Sequence, residues 1–420
     1  MKAVCGFRRW RAGDAKRVGV RMGGKVLVVG AGPYGLSLAA HLRARGVEHA
    51  IVGRCMDAWV EHMPEAMVLK SEAFASDLFA PGAGYALAEY CREQGIAYAP
   101  IGFPVPRRVF AGYGREFQRR FVPELREEHV VRLERVGRAG REACGFRATT
   151  ENGWSVEAER VVLAVGLHPF PYVPEAMAHL PRGLASHSFD HGDVSGFAGR
   201  RVMVWGAGAS AINLAIDLKE HEAEVEVVAR ARRIVFHDAP VIRRSLWERL
   251  KNPRSTLGLG WRSWLAAELP GVFRHLPVEL RHRVVARHLG PAPNWTTRAD
   301  FEGRIPARLG MEVERMTERD GGVELECREA SGGRSVLRYD HVIAATGFRP
   351  AVERLAMLEP ELAAAIATEM GAPRLDGNFQ TSVAGLYMVG LAAANTFGPL
   401  FRFACGAKYA ARRLNAHLVP

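Results

Sequence analysis

Lysine is scarce in this sequence: 7 of 420 residues, against 50 arginines. The net charge of +12 therefore rests on arginine. The arginines are scattered along the chain, and no nucleic-acid-binding motif accompanies them, so nucleic acid is set aside as a partner. A basic surface would still steer anionic small molecules. Cysteine is sparse as well. Cys5, Cys55, Cys91, Cys144, Cys327 and Cys405 include no CxxC spacing, which removes the simplest dithiol relay and the usual zinc spacings. Their scatter fits reduced thiols and a cytoplasmic location. No apolar run approaches the ~18 residues that cross a bilayer, so no membrane span is expected. The first two dozen residues carry Arg8, Arg9, Arg11, Lys16, Arg17 and Arg21 without an apolar core, unlike a signal peptide. Residues 1–24 are expected to be a disordered basic tail, or residues upstream of the true start. No metal site is read: His187 and His191 have the spacing of a helical metal pair, but no third ligand accompanies them.

Glycine is not scarce, at 44 residues, so a bare GxGxxG arises by chance roughly 0.5 times in such a chain. Context carries the weight, because one pattern occurs twice. Lys25-VLVV runs into Gly30-AGPYG, and Arg201-VMVW runs into Gly206-AGASA. Each is an apolar strand, a glycine turn and the start of an alanine-rich helix. In such a turn the first glycine permits the tight bend and the second lets the backbone approach a pyrophosphate. The third position, Gly35 or Ala211, lets the helix pack on its strand. The helix N-terminus then offers free N–H groups to phosphates. Each copy is followed, well downstream, by a hairpin and a second apolar strand ending in glycine: Arg160-VVLAV-Gly166 and His341-VIAAT-Gly347. Two dinucleotide units in one chain imply two nucleotide cofactors facing each other, a layout suited to hydride transfer.

The expected fold is α/β, with two Rossmann-like dinucleotide-binding domains. The second is inserted into a discontinuous first and carries a helical insertion. The first domain is expected over 25–170 and 335–420, the second over 171–334, with the helical insertion over 237–305. Within that insertion, Val278–Leu289 puts Leu280, Val284 and Leu289 near one face and Arg281, Arg283 and Arg287 off it. Both a solvated amphipathic helix and a wall of the substrate pocket fit that pattern. Near the end, a last strand feeds a helix expected to start at Pro399.

These residues resemble the flavin-dependent monooxygenases that use FAD and NADPH on one chain: flavin-containing, Baeyer–Villiger and N-hydroxylating enzymes. Gly30-AGPYG is similar to the family's FAD turn and Gly206-AGASA to its NADPH turn. Asp340-HVIAATGF is similar to the segment that links the two domains. Gly183-LAS-His187 matches part of the family fingerprint, although Pro181 and His191 replace its flanking aromatic residues. Trp59-VEHMP with Leu69-Lys70-Ser71 is similar to the flavin-proximal segment. Together the turns and the resemblance place cofactor contacts at Gly30, Gly32, Pro33, Tyr34, Gly35, Arg54, Trp59, Met63, Val131, Gly166, Gly206, Gly208, Ser210, Ala211, Arg230, Arg232, Thr346, Gly347, Gly390, Phe397, Gly398 and Pro399.

One expected residue is missing. A dinucleotide fold usually places an acid about 20 residues after the glycine turn, to hold ribose hydroxyls. The first copy has Gly53-Arg54 there instead. The second copy ends in Arg230, with Arg232 and Arg233 next. A cation there accommodates a 2′-phosphate, which favours NADPH over NADH. Surface arginines in an arginine-rich chain would look the same.

The resemblance implies that NADPH reduces FAD, that the flavin takes up dioxygen as a hydroperoxide, and that a small nitrogen or sulfur nucleophile is oxygenated. Lys70, Ser71 and Asn395 are the expected catalytic hydrogen-bond donors. The cofactors carry the chemistry, and no Ser/His/Asp constellation is present. Two other readings share these features. One is a flavin reductase or oxidase that passes electrons to a disulfide, a quinone or dioxygen. The other is a nucleotide-sensing module without turnover. The sequence names neither the substrate nor the oligomeric state; a homo-oligomer is compatible with it.

Overall fold

The computed structural model describes residues 20–21, 26–82, 84–137, 145–288, 290 and 292–419. Most of the expected basic tail, together with Cys5, Cys144 and Leu289, lies outside the described residues. Val20–Arg21, inside that expected tail, pair as a short strand with Val156 and Glu157.

The first unit opens with β1 (Val26–Ala31), α1 (Pro33–Ala44), β2 (His49–Cys55) and β3 (Arg160–Leu163). Val26, Leu27 and Val28 are all buried, as a strand covered on both faces requires. The second unit holds β4 (Ala185–His187), β5 (Arg201–Trp205), α2 (Ala209–Glu220), β6 (Glu224–Ala229), β7 (Ala307–Leu309) and β8 (His341–Ala344). The chain then returns to the first unit with β9 (Leu386–Met388) and α3 (Gly406–Leu418). The first sheet has the order β9-β3-β1-β2 and the second β7-β6-β5-β8-β4, parallel throughout. Each unit also carries a three-stranded antiparallel element: Val130–Val136, Gly145–Thr150 and Ser155–Ala158 in the first, Met311–Arg319, Gly322–Glu329 and Arg334–Tyr339 in the second.

Three features differ from the sequence reading. The domain boundary expected at 334/335 falls too early, because β8 lies between β5 and β4 in the second sheet. The second unit needs that strand, which ends at Ala344, to pair with Met203 and Val204. The helix expected from Pro399 is only a 3₁₀ turn, Pro399–Arg402, and the long helix starts at Gly406. In the insertion, helix Val278–Arg287 keeps Arg283 and Arg287 exposed and Val284 half-buried, as its pattern suggests, but exchanges Leu280 and Arg281. Leu280 is 39% exposed and Arg281 is 5% exposed. Arg281 donates to the carbonyls of Leu276 (3.1 Å) and Asn395 (2.7 Å) and pairs with Glu369 (2.6 Å). A buried guanidinium with acceptors on three sides is satisfied, so it can displace an apolar side chain from the interface.

Candidate functional site

The two glycine turns open onto one cavity of about 410 Å³. Gly30, Gly32, Pro33 and Tyr34 line it from the first unit, Ala209, Ser210 and Asn213 from the start of α2. The first turn is tight for steric reasons. Gly30 has φ +110°, and a Cβ there would lie 2.3 Å from the Ala164 carbonyl oxygen. A Cβ on Gly35 would lie 1.9 Å from the Gly30 carbonyl oxygen, so α1 packs on its own turn only because the position is bare. A Cβ on Gly32 would meet nothing within 4 Å. Gly32 is also the N-cap of α1 and provides no side-chain cap, and Pro33 carries no N–H, so the Gly32 and Tyr34 N–H groups are the donors this turn offers the cavity. That bare, donor-rich floor fits a pyrophosphate. The second turn repeats the first. Gly206 has φ +152°, its Cβ would lie 2.5 Å from the Ala345 carbonyl oxygen, and Ala211 is fully buried behind it. Gly208 is the N-cap of α2. Asn213 Oδ1 is buried without a hydrogen-bond partner, an acceptor left for a ligand.

The remaining wall comes from distant segments. Arg54, Trp59, Met63, Lys70, Ser71, Gly166 and Gly390 all line the cavity. Trp59 is held edge-on against Phe110 at 4.7 Å. Tyr34 is fixed by its hydroxyl, which donates to the Phe403 carbonyl (2.8 Å). Lys70 Nζ donates to the Gly290 carbonyl (2.5 Å), tying the wall to the insertion. Burial and the nearby Arg402 cation push the Lys70 ammonium down to about 8. Arg402 also lines the cavity and donates to the Val285 (2.9 Å) and His288 (3.2 Å) carbonyls. Burial lowers Arg402 too, and His237 and His288, lowered mainly by burial, also feel the Lys70 charge. This end of the cavity is a cationic pocket suited to an anionic group.

Several expected contacts lie elsewhere. Val131 is 51% exposed, and its neighbour Val130 lines the cavity instead. A bulge between Val130 and Arg132 leaves Val131 as the extra residue and turns it outward. Asn395 is not among the lining residues; its carbonyl serves Arg281. Phe397 is fully buried and stacks on Phe379 at 4.2 Å, Gly398 lies against Phe273, and Pro399 is buried. These three are core, and the turn after them delivers Phe401 and Arg402 to the wall. Thr346 donates to the Tyr172 carbonyl, and Gly347 accepts from the Tyr172 N–H (2.9 Å). Both staple the crossover between the units. Arg230 and Arg232 are exposed just past the end of β6 and are not among the residues that line the cavity.

His187 and His191 serve different partners. His187 Nε2 donates to the Gly347 carbonyl (3.1 Å), whereas His191 Nε2 meets Ser186 Oγ (2.7 Å). Ser186 Oγ also meets His341 Nε2 (2.7 Å), and burial pushes His341 down to about 4. The sequence reading missed a second histidine group. Asp57, His62, His129 and His168 all line the cavity. Asp57 Oδ2 lies 2.9 Å from His168 Nε2 and 3.8 Å from both His62 Nε2 and His129 Nε2. Burial alone would raise the Asp57 carboxyl, but contact with His168 and the neighbouring imidazoles outweigh it and hold the carboxyl below its usual range. Three separated stretches build this group, Asp57 with His62, His129, and His168, and no local spacing announces it.

The geometry agrees with what this chain is similar to. Indole-3-pyruvate monooxygenase YUCCA4 from Oryza sativa subsp. japonica is 28% identical over 221 residues, covering 49% of this chain and 47% of that protein. The chain thus spans about half the length of the monooxygenases it matches. Ferredoxin–NADP reductase from Rhodospirillum rubrum is 29% identical over 287 residues, covering 64% of this chain and 74% of that protein. Among solved structures, the ornithine N-hydroxylase KtzI of Kutzneria sp. 744 superposes with a TM-score of 0.72 at 17% identity. That likeness, over 94% of this chain and 98% of the other, is one of fold. The pyridine nucleotide-disulphide oxidoreductase family model matches residues 27–258, just over half of the sequence, and this chain belongs to that family.

Proposed function

We propose that this chain is a flavin-dependent monooxygenase. It uses NADPH and dioxygen to oxygenate a small nitrogen- or sulfur-containing metabolite. The observation that carries the reading is the single cavity onto which both glycine turns open. The KtzI structure of similar fold is a complex with reduced FAD, NADP⁺ and L-ornithine, which supports the same pair of cofactors here. FAD would lie on the Gly30–Tyr34 floor and NADPH at Ala209, Ser210 and Asn213. The bound cofactors would supply hydride transfer and the activation of dioxygen.

The chain's own residues do the rest. The N–H groups at the start of α1 hold the pyrophosphate. Trp59, Met63, Phe189, Phe348 and Phe401 line the cavity with apolar surface and keep water out. Lys70 and Arg402 hold an anionic group of the substrate at the insertion side, and Ser71 lies beside them as a hydrogen-bond donor. Arg230 and Arg232 take the 2′-phosphate of NADPH. Replacing both arginines with alanine is expected to raise KM for NADPH at least tenfold and to leave KM for NADH unchanged; equal shifts for the two nucleotides would refute the assignment.

The similarity to a ferredoxin–NADP reductase favours a second reading, electron transfer to an external acceptor. Rapid mixing separates the two. The protein is reduced with NADPH without air and then mixed with oxygenated buffer. A monooxygenase gives a long-lived absorbance transient that matches neither oxidised nor reduced flavin. A reductase or oxidase returns directly to the oxidised spectrum with stoichiometric peroxide.

A further inference from the structure

The acid missing after β2 leaves the first nucleotide without a sugar ligand in the usual place. Arg54 does not fill it, because its guanidinium pairs with Glu151 (3.2 Å). Two residues further on, the chain reverses. Met56 takes a left-handed conformation (φ 55°), and its N–H donates to the Ala31 carbonyl (3.1 Å), which closes the loop onto the glycine turn. A Cβ on Gly53 would lie 2.7 Å from the Ala31 N, so β2 and the turn are in direct contact at this point. The reversal carries Asp57 to the cavity wall beside the turn, with its side chain 10% exposed.

The surroundings of Asp57 prepare it as an acceptor. His168, His62 and His129 all address one oxygen, Oδ2. His62 is fixed from behind, because its Nδ1–H donates to the Phe189 carbonyl (2.9 Å) and its ring stacks on Phe189 at 4.7 Å. Arg54 and Glu151 also face this end: burial first and then Arg54 disfavour protonation of His129, while Asp57 and Glu151, which accepts from the His129 N–H (3.1 Å), favour it. Next to His129, Val130 lies on the strand that runs past the end of β2 and forms the adjoining wall.

We infer that Asp57 is the carboxylate that receives the adenosine ribose hydroxyls of the dinucleotide on the first glycine turn. It replaces the acid that the end of β2 lacks. The inference rests on the cofactor reading above. A carboxylate–hydroxyl hydrogen bond in a cavity is charge-assisted, and its loss corresponds to about a 10- to 100-fold change in affinity.

The test uses the full chain, FAD, and an FAD analogue whose adenosine ribose lacks the 2′-hydroxyl. The wild-type protein is expected to bind FAD 10- to 100-fold more tightly than the analogue, as read by flavin fluorescence. Asp57→Asn keeps the shape of the side chain. It is expected to weaken FAD by the same factor, leave the analogue unchanged and so abolish the discrimination. An Asp57→Asn protein that still discriminates, or that binds FAD as the wild type does, overturns the inference and leaves the cofactor reading standing. Wild-type protein that binds neither flavin overturns both. The Asp57, His62 and His168 ligand atoms lie within 4.8 Å of one another, so the metal content of the purified protein is measured alongside. A stoichiometric metal present in the wild type and lost in Asp57→Asn would assign the group to a cation and overturn the sugar role.

Discussion

Gly35→Ala is expected to destroy the fold of the first unit, whereas Gly32→Ala, three residues away, leaves the fold intact and empties it of flavin. The difference follows from what each methyl group would meet. At Gly35 the new Cβ would fall 1.9 Å from the Gly30 carbonyl oxygen, which is backbone held by a φ of +110° and cannot give way. Relief requires α1 to lift from β1, and the expected cost is about 3 kcal/mol or more. At Gly32 nothing lies within 4 Å, and the φ of −86° suits any residue. The melting temperature of Gly32→Ala should therefore stay within about 2 °C of wild type. Its methyl group would instead occupy the space above the helix N-terminus, and the affinity for FAD should fall at least tenfold. Flavin content per chain and thermal unfolding of the two purified variants check this together. A Gly32→Ala protein that keeps its flavin at wild-type affinity would show that the open floor is not the phosphate site.

Lys70→Met is expected to make the protein more stable and less active. Lys70 is pushed from its ordinary 10.5 down to about 8 by burial and by Arg402. Below pH 8 the folded chain carries this ammonium against its surroundings, whereas the unfolded chain holds it freely. Between about pH 8 and 10.5 the folded amine is neutral and the unfolded one still binds its proton, so this residue makes stability rise with pH across that window. Methionine removes both the burden and the slope. The pH-dependent part of the gain is about 3 kcal/mol at pH 7 and vanishes near pH 10.5, less about 1 kcal/mol for the lost hydrogen bond to the Gly290 carbonyl. Turnover should fall about 30- to 100-fold at pH 7, because the anionic group of the substrate loses its cation. Denaturant unfolding at pH 7, 9 and 10.5 reads the first effect and steady-state kinetics the second. A variant that is destabilised at pH 7 would mean that Lys70 is held by favourable contacts and is not strained in the wall.

How far the sequence carries depends on the range over which each feature is specified. The two turns were legible because strand, glycines and helix are contiguous, and steric need ties each glycine to neighbours a few residues away. The stretch of cavity wall from Trp59 to Ser71 was singled out through resemblance. The misreadings all involve partners distant in sequence. Val131 looked like an inward residue, but a bulge against Thr149 and Thr150 shifts the alternation by one and presents Val130. Arg281 looked like a solvated residue, but Glu369 lies 88 positions downstream and makes burial tolerable. The Asp57 group draws on residues up to 111 positions apart, and nothing in local spacing marks it. The apparent helix start at Pro399 obeyed a sound local rule that the packing of Phe397 and Phe401 on Phe379 overrides.

The split of the first unit across the chain sets an order of assembly. β9 is the edge partner of β3, and α3 packs on α1, with Tyr34 seated against Gly406 and Phe403. These pieces are translated more than 200 residues after β3. At ordinary elongation rates the ribosome needs about 10–45 s to cover that gap. The second unit has all of its strands between Ala185 and Ala344, so it can close while the first still exposes an unpaired β3 edge. The first nucleotide floor is therefore finished only after the whole second unit has been made, and flavin capture has to wait for β9 and α3.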